Sequence, residues 1–214
     1  MNNMNNIFCF WTDDNIITEN RLNSIKQLKE ITECNIIFVD KTNLNNYILD
    51  KHPLHPAYKY LSSVHKSDYL RTYFMNFHGG GYSDIKKTTG SWKNSFDILY
   101  KSDAWIIGYK EIPGGSPVKE LNYNYLVGNC SYICKKNTKL TNEWYDNMII
   151  LLDKKLEYLK KNPSNNPRDS FGNNGSEYPI LWAEMLGCIF HPLIFKYKDN
   201  VINTLPKPIL NNYL

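Results

Sequence analysis

The chain has 214 residues, of which 42% are hydrophobic and 14% aromatic, so one domain with a sizeable core is expected. The formal net charge of +4 is small, and the lysines are spread along the chain without an arginine-rich stripe, which argues against a nucleic-acid partner. No run approaches the roughly 20 apolar residues of a membrane span, and the five cysteines lack the spacing of a zinc site.

The N-terminal part of the chain begins with a polar, asparagine-rich stretch that lacks the pattern of a secretory signal, so we expect a cytoplasmic protein, in a host cell if it is viral. Residues 7–11 and 35–40 are continuous apolar runs, which are typical of parallel strands covered on both faces. Between them, residues 18–32 predict an amphipathic helix. The sequence does not indicate an oligomeric state.

A second, largely buried helix is predicted between Tyr58 and Phe77, where apolar residues recur at steps of three and four. Asp68 and Arg71 fall at i and i+3 in this helix and therefore share a face. The helix is expected to stop at Gly79, as glycine often ends a helix.

An extended segment follows the glycines, and in such a segment alternate side chains point to the same side. Tyr82, Asp84 and Lys86 should therefore line one wall. Gly80 and Gly81 have no side chains and would let a ligand approach the backbone.

The second half of the chain continues the alternation of strands and helices. Residues 103–109 and 127–134 predict strands, and residues 140–161 predict a long helix. A further helix is expected from Pro179 through Gly187. The loops around residues 114–115 and 162–175 are rich in glycine, proline or asparagine and are expected to act as lids. Together the elements predict an α/β fold with a mainly parallel central sheet in a single domain over residues 1–214.

Residues 67–84 resemble the S-D-x-x-R … G-G-x-Y-x-D-x-D signature of DXD-motif glycosyltransferases with the GT-A fold. These include capsular-polysaccharide and mannosyl-type sugar transferases and the glucosylating domains of large clostridial toxins; the chain also resembles small viral or bacterial surface-glycan transferases. The resemblance implies a nucleotide-sugar transferase with a single GT-A domain. Its donor would be a UDP-hexose, and its acceptor a hydroxyl of a glycan or glycoconjugate.

The same resemblance implies roles for individual residues. Trp11 would stack on the base, and Asp68 and Arg71 would hold hydroxyls of the donor sugar. Tyr82 would lie against the sugar or the ribose. Asp84 would contact the ribose and the metal–diphosphate group.

Lys86 departs from the family pattern, because it occupies the place of the second acid, which normally binds the divalent metal. Something cationic must meet the charge that develops on the diphosphate. Either Asp84 holds Mn²⁺ or Mg²⁺ with a further ligand, for which His191 is the candidate, or Lys86, with Lys87, replaces the metal.

The stereochemical outcome depends on whether a carboxylate base stands near the acceptor. Glu184 is the candidate base for an inverting reaction, whereas the resemblance favours retention, which needs no such base. The alternative to an enzyme is a degenerate transferase that binds a nucleotide or glycan without turnover. A hydrolase is disfavoured, because the HGGG sequence at residues 78–81 has no matching G-x-S-x-G nucleophile elbow.

Overall fold

The computed structural model describes residues 5–211 of the chain. Residues 1–4, on which part of the expectation about the N-terminus rests, lie outside this range. The described strands are β1 (Asn6–Trp11), β2 (Asn35–Asp40), β3 (Gly80–Ser83), β4 (Ile106–Lys110), β5 (Val127–Cys134) and β6 (Val201–Ile202). The described α-helices are α1 (Glu19–Ile31), α2 (Ser63–Phe77), α3 (Lys93–Lys101), α4 (Lys139–Lys161) and α5 (Gly187–Lys196).

The strands form one six-stranded sheet in the order β2-β1-β3-β5-β4-β6. β1 pairs in parallel with β2 and with β3, and β4 pairs in parallel with β6. β5 is antiparallel to both of its neighbours, β3 and β4. The predicted α/β fold with a mainly parallel sheet is therefore confirmed.

β1 lies between β2 and β3, and this position determines where a crevice forms at the end of the sheet. α1 connects β1 to β2, and α2 connects β2 back to β3. Phe8 and Phe10 pack in the core cluster that includes Phe74 of α2, whereas Cys9 packs against Leu28 of α1. Because neighbouring side chains of β1 reach different helices, the connections cover opposite faces of the sheet. In open α/β sheets, ligands bind at the carboxyl ends of the strands at such a reversal of strand order.

The buried helix α2 is shorter than predicted at its start. Residues 58–60 form a separate 3₁₀ turn, and α2 begins after Ser62, whose hydroxyl accepts a hydrogen bond from the backbone of His65. Serine in this position satisfies one of the free N–H groups of the first turn. The helix ends at Phe77, and Gly79 follows in the left-handed region (φ +69°), as the glycine predicted.

The last third of the chain differs from the prediction. The expected helix from Pro179 is a turn, because the Glu184 carboxylate accepts the backbone N–H of Leu181 and closes it. The helix there is α5, which starts only at Gly187. β6 was not predicted, and neither was α3 in the middle of the chain. No helix within residues 5–211 combines the length and apolar character needed to cross a bilayer.

Gly80 and Gly81 serve strand packing in this structure. A Cβ at Gly80 would lie 2.9 Å from the carbonyl oxygen of Asn6, and one at Gly81 would lie 3.0 Å from Cγ1 of Ile7. Gly80 lines a separate cavity of about 600 Å³ at the amino ends of β1 and β3. These glycines were expected to let a ligand approach the backbone; the space that their side chains would fill is taken by β1, so they let β3 approach β1.

We expect Gly80→Ala to destabilise the fold by about 1–3 kcal/mol, because φ is +83° and the added methyl meets backbone. The measurement is urea unfolding. Gly114→Ala is the matched control, since Gly114 also has a positive φ (+77°) but a Cβ there has nothing within 4 Å. Equal losses in the two variants would contradict a packing role for Gly80.

Candidate functional site

A cavity of about 380 Å³ opens at the carboxyl ends of β1 and β3. This is within the size range of small-ligand sites, and the place agrees with the reversal of strand order at β1. Its floor and walls include side chains from β1, α1, α2 and the segment after β3. They include Trp11, Arg21, Arg71, Tyr82, Asp84 and Lys86.

The Asp84 carboxylate is the centre of the cavity floor. Its Oδ1 accepts a hydrogen bond from the hydroxyl of Tyr82 and lies 3.4 Å from Nη2 of Arg71. Its Oδ2 accepts the ammonium of Lys86. Burial alone would raise the pKa of Asp84, but Lys86 and Arg71 outweigh that effect and hold the pKa below its ordinary value. The carboxylate is therefore ionised, and each of its oxygens accepts a hydrogen bond.

Arg71 connects this floor to the core. Its guanidinium lies 4.3 Å from the centre of the Tyr82 ring and donates to the backbone carbonyl of Asn129 on β5 (2.8 Å). The same group is 3.1 Å from Oδ1 of Asp68. Arginine suits this position because its planar fork stacks on a ring while it donates to several oxygens.

Asp68 lies behind Arg71 and is not among the residues that line the cavity. Its side chain is only 2% exposed. Burial raises the pKa of Asp68 to about 7; Arg71 opposes this shift, and the charge of Asp84 adds to it. In this arrangement Asp68 contacts Arg71, so the predicted contact between Asp68 and the sugar would need Arg71 to move.

Trp11 and Arg21 also line the cavity. The indole Nε1 donates to the carbonyl of Asn15 (2.7 Å), which fixes the plane of the ring at the end of β1. The guanidinium carbon of Arg21 lies 5.8 Å from the ring centre, and this side chain also donates to the carbonyl of Ile85 (3.0 Å). The structure thus brings Trp11, Arg71, Tyr82, Asp84 and Lys86 to one cavity.

Several residues that line the cavity were not predicted from the sequence. Asp13 pairs with Lys66 (2.5 Å) and accepts the hydroxyl of Ser63. Arg168 lies 5.1 Å from the ring centre of the half-exposed Trp182 at the mouth. A usable signal existed for Asp13, because it directly follows a strand whose carboxyl end opens a crevice.

The loop that carries Arg168 is tied to α2. The backbone N–H of Val64 donates to the carbonyl of Pro167 (3.1 Å), and that of Ser164 donates to the carbonyl of Tyr60 (3.0 Å). A free N–H in the first turn of a helix needs such a partner. The first part of the loop predicted as a lid is therefore held in place by backbone hydrogen bonds.

His191 and Glu184 do not join the site in the described part of the chain. His191 is fully buried on α5, where its Nδ1 is 2.9 Å from the Ser116 hydroxyl and its Nε2 is 3.4 Å from a Glu111 oxygen. Glu184 pairs with Lys155 (3.0 Å) and closes its own turn. Neither lines the cavity. The expected pairing of Asp84 with His191 and the expected position of Glu184 are corrected.

The cavity also lacks the donor set that a directly bound Mn²⁺ or Mg²⁺ prefers. No three His, Cys, Asp or Glu side chains within residues 5–211 are grouped to hold a metal. Both oxygens of Asp84 already accept hydrogen bonds, and the position of the second acid is held by the ammonium of Lys86. An ammonium cannot be a metal ligand, so the residues present fit such an ion poorly.

No protein-family model and no curated protein sequence matches this chain. Its fold is similar to that of a solved structure, the PaToxG glycosyltransferase, with a TM-score of 0.52 and 13% sequence identity. The superposition covers 90% of this chain and 69% of that chain. At this identity the likeness concerns the fold and not the side chains.

We expect the stability difference between the wild-type protein and Asp68→Asn to depend on pH. The folded pKa of Asp68 is about 7 against 3.8 in a model peptide, so between these values the folded state holds a proton that the unfolded chain has lost. As the pH rises, the free energy of unfolding of the wild type relative to that of the variant should therefore fall, by at most about 1.4 kcal/mol per pH unit. The difference should level off above neutrality. Urea unfolding across this range is the measurement. A constant difference would contradict the shifted pKa.

Proposed function

We propose that this chain is a glycosyltransferase that moves a sugar from a nucleotide diphosphate donor, a UDP-hexose, to a hydroxyl of a glycan or glycoconjugate. The observation that carries the proposal is the group formed by Arg71, Tyr82, Asp84 and Lys86. This group lies at the carboxyl-end crevice of a fold similar to that of a glycosyltransferase.

The donor would lie along the cavity from Trp11 to the Asp84 floor. Trp11 offers a ring face for the base, because its plane is fixed and it is only partly covered. Arg71 and Asp84 offer a donor and an acceptor group for sugar or ribose hydroxyls. Lys86 and Arg21 offer cations for the diphosphate.

The reaction would proceed with retention. The carboxylates that line the cavity within the described residues are Asp13 and Asp84, and each is held by a cation and a hydroxyl. Neither is placed to act as a free general base. The bond from the anomeric carbon to the diphosphate oxygen breaks as the bond to the acceptor oxygen forms. The electron pair and the acceptor's proton both end on the diphosphate.

The acceptor would enter at the mouth beside Trp182 and Arg168. Trp182 is 46% exposed there, with the guanidinium of Arg168 over its ring. An aromatic face beside a charged donor suits a sugar ring, which has apolar faces and hydroxyl edges.

We expect Asp84→Asn to lower the release of free UDP from UDP-sugars by about a hundredfold or more, because Lys86 and Arg71 lose the charge that orients them. The measurement is UDP release with and without glycan acceptors. Asp146→Asn, an exposed acid on α4, is the control and should keep full activity. Activity of Asp84→Asn equal to that of the wild type would refute the site.

The same assay separates the enzyme from a non-catalytic nucleotide or glycan binder. Binding of UDP-sugar without any release of UDP, over a panel of donors and acceptors, would support the binder. Release that depends on an acceptor would support the transferase.

We expect Trp11→Ala to weaken the binding of UDP and of uridine by the same factor, about five- to a hundredfold, because the lost contact is with the base. Isothermal titration of both ligands is the measurement. Trp182→Ala is the matched control and should leave uridine affinity unchanged. If uridine binds Trp11→Ala as it binds the wild type, Trp11 serves only the core.

A further inference from the structure

We propose that Lys86, supported by Arg71 and faced by Arg21, carries the positive charge that binds the donor's diphosphate, so that donor binding needs no divalent metal ion. This inference rests on the proposed function and specifies how the same site recognises its substrate.

The first observation is where the Lys86 ammonium lies. The side chain lines the cavity yet is only 8% exposed, and its Nζ donates to Oδ2 of Asp84 and lies 3.5 Å from Sγ of Cys130. Burying an ammonium is costly unless it is paired, and the Asp84 carboxylate provides the pairing. Lys86 is therefore a fixed, desolvated charge on the cavity floor and not a solvated side chain at the end of a strand.

The second observation is the charge balance of the buried group. Two cations, Arg71 and Lys86, share the one carboxylate of Asp84. The remaining acid, Asp68, has a pKa of about 7 and is partly neutral at physiological pH. The described residues that line the cavity also carry excess positive charge, because two acids, Asp13 and Asp84, stand against four cations: Arg21, Arg71, Lys86 and Arg168. This is the charge that an incoming diphosphate needs.

The third observation concerns a competing metal ion. A divalent ion on Asp84 would lie within a few ångströms of the Lys86 ammonium, because both would use the same carboxylate. Like charges at that distance repel strongly at a site of low solvent exposure. The Lys86 ammonium therefore disfavours a divalent ion at Asp84 and supplies the positive charge in its place.

The experiment measures the affinity of the wild-type protein for UDP, GDP and ADP by isothermal titration, first with EDTA and then with Mn²⁺. We expect the preferred nucleoside diphosphate to bind with equal affinity under both conditions. Without nucleotide, the proportion of Mn²⁺ bound to the wild type, measured from its electron paramagnetic resonance signal, should stay low. With nucleotide, it should not exceed the proportion that the nucleotide binds without the protein.

Two variants at position 86 make the test specific. Lys86→Met should weaken the binding of the diphosphate by about ten- to a hundredfold while leaving the nucleoside alone unaffected, since a charge-assisted hydrogen bond is lost. Lys86→Asp restores the pattern of two acids around Ile85, so it should bind the diphosphate poorly in EDTA and recover with Mn²⁺. Lys87 was expected to act with Lys86, but its side chain is exposed and does not line the cavity. Lys87→Met removes the same charge and should therefore behave as the wild type.

The outcomes separate this inference from the proposed function. If the wild type binds a nucleoside diphosphate only with Mn²⁺, the inference is overturned and the transferase proposal stands. If no nucleoside diphosphate or UDP-sugar binds under either condition, the proposed function fails as well. Unchanged affinity in Lys86→Met also overturns the inference. Should circular dichroism show that Lys86→Met is unfolded, the metal dependence of the wild type and of Lys86→Asp decides.

Discussion

The candidate site depends on one ionised carboxylate that is shared by three donors from different parts of the chain. Asp84 lies directly after β3 and accepts hydrogen bonds from Tyr82 of that strand, Arg71 of α2 and Lys86 of the following segment. These side chains depend on one another: the acid orients each donor, and the donors keep the acid charged. The arrangement is a small polar network that lies on an aromatic core.

The aromatic core beneath this network fixes its position. The Tyr82 ring stacks on Phe10 of β1 (centroids 5.5 Å apart), and Phe10 packs against Phe74 of α2 (4.8 Å). A ring held between a strand and a helix has little room to rotate in a close-packed interior. The glycines at the start of β3 allow β1 and β3 to lie side by side, which brings Trp11 and Asp84 to the same crevice. Packing at one end of the strands thus determines the geometry at the other.

The sequence predicted those helices and strands whose pattern is local. It was less accurate for elements that form through tertiary contacts. β2 has its predicted bounds, and α1 and α4 lie within about one residue of theirs, because continuous apolar runs and amphipathic periods are properties of the segment itself. β6 has only two residues and exists through its pairing with β4, so no periodic signal could indicate it. The turn before α5 is closed by Glu184, a contact that residue type alone does not reveal.

The candidate site was likewise predictable where its residues are close in the sequence. Asp84, Tyr82 and Arg71 come together because residues 67–84 include one helix, one turn and one strand that pack on each other, so sequence spacing carries the geometry. His191 and Asp84 are more than a hundred residues apart in the sequence. The partners of His191 depend on how α5 meets the loop with Glu111 and Ser116, which sequence spacing cannot show. Arg21 and Arg168 likewise reach the cavity through the fold alone.

The hydrogen bond from Val64 to Pro167 has a consequence for how molecules enter and leave the crevice. It attaches the loop that bears Arg168 to the first turn of the helix that bears Arg71. The rim at Pro167 is therefore joined by backbone to the helix whose Arg71 reaches the cavity. A molecule that passes this rim would meet the indole of Trp182 and the guanidinium over it, next to a backbone that is held at Pro167.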